Sequence, residues 1–178
     1  MTKGLDIFAA KITCMFFILT FMACGKEEAG FGPVPTITFE KIEVEQGESG
    51  TDSVVHITFG FTDGDGDIGL GDTDTIPPFD RQSAYWQNVP VKIYHKVNGS
   101  FEELLNPLTN EPFDLPSERV PRITPEGKNK AISGNITIHI SANPLNTQPA
   151  EVKYEIKLLD RALNVSNTVV TPSVLLKH

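Results

Sequence analysis

Cysteine is almost missing from this chain of 178 residues: only Cys14 and Cys24 occur, both near the start. Everything after residue 24 therefore has neither a disulfide nor a thiol nucleophile, and its fold rests on its own core, with a metal clip as the alternative staple. Long apolar runs are lacking too. The one continuous stretch, "ITCMFFILTFMA" (Ile12 to Ala23), is well short of the about 20 residues that cross a bilayer. No segment carries a helical period over ten or more residues. Basic residues are in deficit, 15 against 23 acidic for a net charge of −8, which argues against nucleic acid and against direct contact with anionic headgroups. There is neither a nucleophile elbow nor a phosphate-cradling glycine loop, so the expectation is a protein without catalytic activity.

What is present begins with an address. Lys3 and Lys11 precede the apolar run, and small Ala23 ends it, as in a signal peptide over residues 1–23. The sequence "FMAC" resembles the lipobox of bacterial lipoproteins, where the signal is cut before a cysteine that is then lipidated. Phe21 stands where leucine is usual, and an ordinary secretory signal with a chance cysteine is the alternative. In "CGKEE", Lys26, Glu27 and Glu28 follow at once. This is similar to the export signal of Bacteroidota lipoproteins sent to the outer face of the outer membrane. The resemblance implies a lipid anchor at Cys24, with the protein facing the cell surface; a solvated, charged tether is the plainer reading. Losing Lys3, Lys11 and Asp6 with the signal takes the net charge from −8 to −9. Residues 24–35, rich in Gly and Pro, then form a flexible tether that reaches at most ~40 Å. Buried acyl methylenes at ~0.8 kcal/mol each would anchor it.

Residues 36–178 are long enough for one domain with a real core. Alternation at period two recurs along them. Val55, Ile57, Phe59 and Phe61 fall on one face of "SVVHITFGF"; Val91, Ile93, His95 and Val97 share a face in "VPVKIYHKV". Asn98-Gly99 is the pair favoured in a type I′ hairpin turn, with "SFEELL" as the returning strand. Ile136, Ile138 and Ile140 line up in "NITIHI", as do Val152, Tyr154, Ile156 and Leu158 in "VKYEIKL". "TITFEKIEVE" changes phase between Phe39 and Ile42, which predicts a bulge. Pro172 predicts an edge or an end for the last strand. Seven or eight such strands predict an all-β protein of two packed antiparallel sheets.

"YEIKLLDRALNVSNTVV" resembles the closing strand pair of bacterial Ig-like and fibronectin-III-like domains through Asp160, Ala162, Asn164 and Ser166. Leu163 stands where glycine is usual, so the turn is expected to be formed differently, with Asn as a residue that can itself adopt the left-handed conformation. With "FTDGDGDIGL" and the lipid signal, the chain resembles Ig-like surface lipoproteins of the Bacteroidota. The resemblance implies an Ig-like antiparallel β-sandwich and an address, and it names no activity.

"FTDGDGDIGLGDTD", Phe61 to Asp74, packs five aspartates and four glycines into fourteen residues. Asp63, Asp65 and Asp67 alternate, so a curling backbone can turn three carboxylates to one point, as calcium with its six to eight hard oxygens requires. The EF-hand pattern fails, because Ile68 occupies the sharp-turn position and Asp74 the place of the bidentate Glu. Two readings remain. Either a different, structural calcium loop sits on the rim of the sandwich with Asp72 or Asp74 completing the shell, or Gly and Asp merely serve a turn with Ile68 and Leu70 tucked beneath.

Two stretches lack strand character, 63–88 and 106–118. In the first, Tyr85 and Trp86 are adjacent with Phe79 and Arg81 nearby, residue types that anchor binding surfaces; alternatively Trp86 closes the end of the core. The second, with three prolines, reads as a stiff lid or edge cover. Asp52-Ser53-Val54 and Asp74-Thr75-Ile76 fit the short Bacteroidota O-glycosylation pattern, which puts sugar on Ser53 and Thr75. His56 and His139 belong to polar strand faces, and Glu102–Glu103 to a solvated strand edge. The expected function is a binding or scaffolding subunit of an outer-membrane protein complex. The alternative is a glycan-binding accessory lipoprotein in nutrient capture, with Tyr85 and Trp86 stacking on sugar rings.

Overall fold

The computed structural model describes residues 30–113, 119–124 and 130–178. Cys24, Lys26, Glu27 and Glu28 lie outside the described residues, as does the 114–118 part of the proline-rich stretch. Eight strands follow in order: β1 (Thr36–Gln46), β2 (Asp52–Asp63), β3 (Val91–Val97), β4 (Ser100–Glu103), β5 (Ile132–Ser141), β6 (Glu151–Ile156), β7 (Val169–Val170) and β8 (Val174–Leu175). The one helical element among the described residues is a single 3-10 turn, Pro144–Asn146, and no helix there is long and apolar enough to cross a membrane.

All pairings between these strands are antiparallel. One sheet has the order β1-β2-β5, the other β4-β3-β6-β7, with β8 also on β6. The chain therefore changes sheet after β2, β4 and β5, the Ig-like way of closing two sheets over one core. The period-two residues face inward as the alternation predicts. Val55, Ile57 and Phe59 of β2, Ile138 of β5, and Val152, Tyr154 and Ile156 of β6 are all buried in a single cluster. Their register is set across the chain, with Ile57 opposite both Ile42 and Ile138.

Local devices tune this frame. Between Phe39 and Lys41 the β1 register slips by one residue, so Ile42 and Val44 return to the core side. Asn98 and Gly99 both take positive φ, +49° and +88°, as a type I′ turn between β3 and β4 requires. Pro172 separates β7 from β8 on the sheet edge. There the Thr171 hydroxyl accepts the Tyr154 N–H (3.1 Å) and donates to the Pro172 carbonyl (2.8 Å), so the interrupted ladder stays satisfied. The amide of Asn167 mimics a strand at the other edge. Its oxygen accepts the Ile37 N–H at 2.8 Å and its Nδ2 donates to the Ile37 carbonyl at 2.9 Å, stitching one sheet to the other.

The turn after β6 departs from expectation. Leu163 itself occupies the left-handed region, φ +67°, where glycine is usual. Asp160 clamps the turn instead: its carboxylate accepts the Asn164 N–H (2.7 Å) and Nδ2–H (2.8 Å), while the Asp160 N–H donates to the Asn164 carbonyl. These bonds hold a leucine in a conformation that costs about 1–2 kcal/mol. Substituting Leu163→Gly relieves that cost against an entropic loss of about 0.5–1 kcal/mol. Thermal unfolding of the variant should show a melting temperature equal to or a few degrees above that of the parent; a clear fall would mean that the Leu163 side chain is needed for packing.

A carboxylate cluster and a braced loop

β2 ends in Asp63, and the chain then curls so that ligand oxygens of Asp63, Asp65 and Asp67 lie within 4.8 Å of one another. Glycine makes the curl possible. A Cβ on Gly64 would collide with the carbonyls of Phe31 and Gly32; Gly66, at φ +71°, abuts the Lys130 carbonyl. The N-terminal segment is fastened here, since Gly64 N–H donates to the Gly32 carbonyl at 2.9 Å. From the other side comes the β6–β7 turn. Ala162 N–H donates to Asp67 Oδ2 (3.0 Å), Arg161 N–H donates to the Asp67 carbonyl (3.3 Å), and Ile68 bridges Asp160. Three remote stretches of sequence thus meet at one end of the sandwich. Ile68 and Leu70 are buried beneath it, which meets that part of the turn expectation.

The electrostatics of the cluster are unusual. Asp63 is fully buried, at 0% exposure, and its Oδ2 accepts the Asp67 N–H at 2.9 Å. One oxygen of each aspartate, Oδ1 in all three, is buried without a hydrogen-bond partner. A buried acceptor left unpaired costs about 1–3 kcal/mol, more when charged. Loss of solvent pushes the Asp63 carboxyl up to about 6, helped by the negative charges of Asp65, Asp67 and Asp160. Asp67 rises to about 6 for the same first cause, with Asp160 and Asp65 adding to it. Three hard oxygens in reach of one point, in a negative field, suit a hard cation. Asp72 and Asp74 stand outside this cluster. Asp72 is exposed, while Asp74 pairs with Arg161 and accepts the Gly71 N–H, contacts that hold its carboxyl below the usual range.

The loop that follows is ordered by two arginines that sequence reasoning passed over. Arg119 donates to the carbonyls of Trp86 (2.7 Å), Gly71 (3.2 Å) and Asp74 (2.6 Å), and its guanidinium stands 4.2 Å from the Trp86 ring centre. Arg161, besides pairing with Asp74, lies 5.6 Å from the Phe79 ring centre, and Arg81 lies 5.5 Å from that of Trp86. Asn88, buried, exchanges hydrogen bonds with Val120. Nothing in the local sequence marks Arg119, Arg161 or Asn88, because each acts on a segment more than thirty positions away. Trp86 is accordingly half-buried, while Tyr85 is 39% exposed and Ile76 72%.

The remaining sequence candidates are scattered. Ser53 and Thr75 are both exposed, at the start of β2 and in the loop. His56 and His139 pair across β2 and β5 with rings edge to face at 4.9 Å, and His56 Nε2 lies 2.8 Å from Glu45. Glu102 is exposed on β4, and Glu103 forms an ion pair with Lys92 at 3.2 Å.

Two outcomes are expected. Raised carboxyl values in the folded state mean that the native protein holds protons more tightly than the unfolded chain, so stability is lost as pH rises from the unfolded value of 3.8 through about 6. Cation-free protein should therefore melt a few degrees higher at about pH 5 than at about pH 7.5, and Asp63→Asn should reduce the difference while leaving the share that belongs to Asp67, as read by calorimetry. Replacing Arg119 by Ala strands three carbonyls and uncovers Trp86; a loss of about 2–4 kcal/mol in urea unfolding, with a red-shifted tryptophan emission, is the expected result.

Compared with known proteins, the chain matches no family model, no curated protein and no solved structure.

Proposed function

We propose that this chain is a non-catalytic, lipid-anchored Ig-like module on the outer-membrane surface, which binds a protein partner as a scaffolding subunit of a membrane complex. The anchor is Cys24, and Lys26, Glu27 and Glu28 carry the export address; both rest on the sequence resemblance. The observation that carries the binding reading is a loop of irregular backbone that is firmly braced and still displays apolar side chains. Arg119 and Arg161 fix its course, yet Ile76 and Tyr85 project to solvent. A preordered loop loses little conformational entropy on association, and apolar anchors on such a loop are the usual source of interface energy. A protein partner is favoured over a glycan because Trp86, the sole tryptophan, is half-buried with Arg119 against its ring. Sugar stacking wants an open aromatic face.

The test is affinity purification of C-terminally tagged protein from gently solubilised outer membranes, beside an Ile76→Asp/Tyr85→Ala variant with an unchanged melting temperature. A stoichiometric membrane-protein partner that the parent retains and the variant loses by at least about tenfold, ~1.4 kcal/mol, supports the reading. Recovery of the parent alone removes it. Quenching of Trp86 fluorescence by a glycan would move the assignment to nutrient capture.

A further inference from the structure

We propose that Asp63, Asp65 and Asp67 bind a single calcium ion that ties the start of the domain, the end of β2 and the β6–β7 turn together. This goes beyond partner binding and stands on different residues.

The two aspartates at the ends of the curl are each held by one oxygen, which leaves the other for a ligand. Asp63 Oδ2 is fixed by the Asp67 N–H, and Asp67 Oδ2 by the Ala162 N–H. The Oδ1 atoms of Asp63, Asp65 and Asp67 are buried and unpartnered, and Asp63 has no solvent exposure at all. A turn built only for its own sake would spend both carboxylate oxygens on backbone N–H groups or side-chain amides. Asp160, close by, does so: both its oxygens are taken by Asn164. The separation also fits. Calcium–oxygen bonds of about 2.4 Å place any two ligands of one ion at most ~4.8 Å apart, and the three aspartates meet that limit.

Charge and donor type select the ion. Three carboxylates, with Asp160 adding to the field, call for a cation, and the guanidinium of the adjacent Arg161 is engaged by Asp74. An all-oxygen set excludes the ions that prefer nitrogen and sulfur. Three ligands from five consecutive residues make an irregular, one-sided shell; calcium accepts that, with water or carbonyls completing it, whereas magnesium demands a near-ideal octahedron. The mechanical consequence follows from the packing. Gly64 N–H holds the Gly32 carbonyl, and the Asn164 amide reaches the Pro33 carbonyl (3.5 Å), so an ion that stiffens the curl also stiffens residues 31–33 where they enter β1.

The experiment uses the full-length protein purified in detergent and stripped of metal. Calorimetric titration with calcium should give one site per chain, with a dissociation constant of about 10⁻⁵ to 10⁻³ M. At a hundredfold excess over that constant the melting temperature should rise by roughly 5–10 °C. Calcium should also slow proteolytic cleavage around residues 30–35. Asp65 sits between the two aspartates that brace the backbone, and its Oδ1 has no partner to lose. Asp65→Asn should therefore leave the cation-free melting temperature equal to the parent's or above it, since it also removes a charge that repels Asp63 and Asp67, and should weaken binding at least tenfold; Asp72→Asn, outside the cluster, should bind as the parent does. An absence of heat and of stabilisation at about 10 mM calcium overturns the proposal. So does an equal response to magnesium, or undiminished binding by Asp65→Asn.

Discussion

Two inner faces, one on β2 and one on β6, can leave water only by meeting each other. Val55, Ile57 and Phe59 supply the first, and Val152, Tyr154 and Ile156 the second; none has more than 1% of its surface exposed. At ~25 cal/mol per Å² of apolar surface removed from water, burial of these side chains is the dominant favourable contribution in a chain with no disulfide beyond residue 24. Everything else in the domain is arranged around keeping these faces in register. The slip in β1 brings Ile42 and Val44 back over the core, and Asn167 and Thr171 satisfy backbone groups where the sheets come to an edge.

The same packing creates the domain's electrostatic liability. β2 delivers Asp63 into the end of the core, and the tight curl behind it brings Asp65 and Asp67 alongside. Low dielectric strengthens both the repulsion among the acids and the attraction for any cation placed between them. The molecule therefore stores unfavourable charge at a junction of the segment before β1, the loop after β2 and the β6–β7 turn. An ion at this point would offset that charge, and the glycines let the backbones touch there.

Beyond this junction, the loop reaching to residue 88 is ordered without regular structure. Arg119 replaces a ladder of backbone bonds with three side-chain bonds to carbonyls, and Arg161 anchors the loop's acidic start through Asp74. Guanidinium suits this role, since its planar fork can serve several carbonyls while its face covers an aromatic ring. The loop thus gains rigidity from one side and leaves Ile76 and Tyr85 available on the other. A loop surface of this kind depends on the core only indirectly, through the elements that carry the two arginines.

Period-two alternation sufficed to mark the strands, because a side chain's face in a sheet depends only on its parity along the chain. The bulge near Phe39, the Asn98-Gly99 turn and the edge role of Pro172 were legible for a similar reason: each is a backbone preference of one or two adjacent residues. The convergence of Asp63, Asp65 and Asp67 was legible too, as an alternation within a glycine-rich run. Which further acids join them was not. Asp74 is near in sequence but belongs to Arg161, eighty-seven positions on, while Asp160 comes from the far side of the chain. The left-handed Leu163 and the bracing by Arg119 were hidden likewise. Local preference is written in neighbouring residues, but a partner brought across the fold is chosen by the packing of two sheets, and only the tertiary structure decides it.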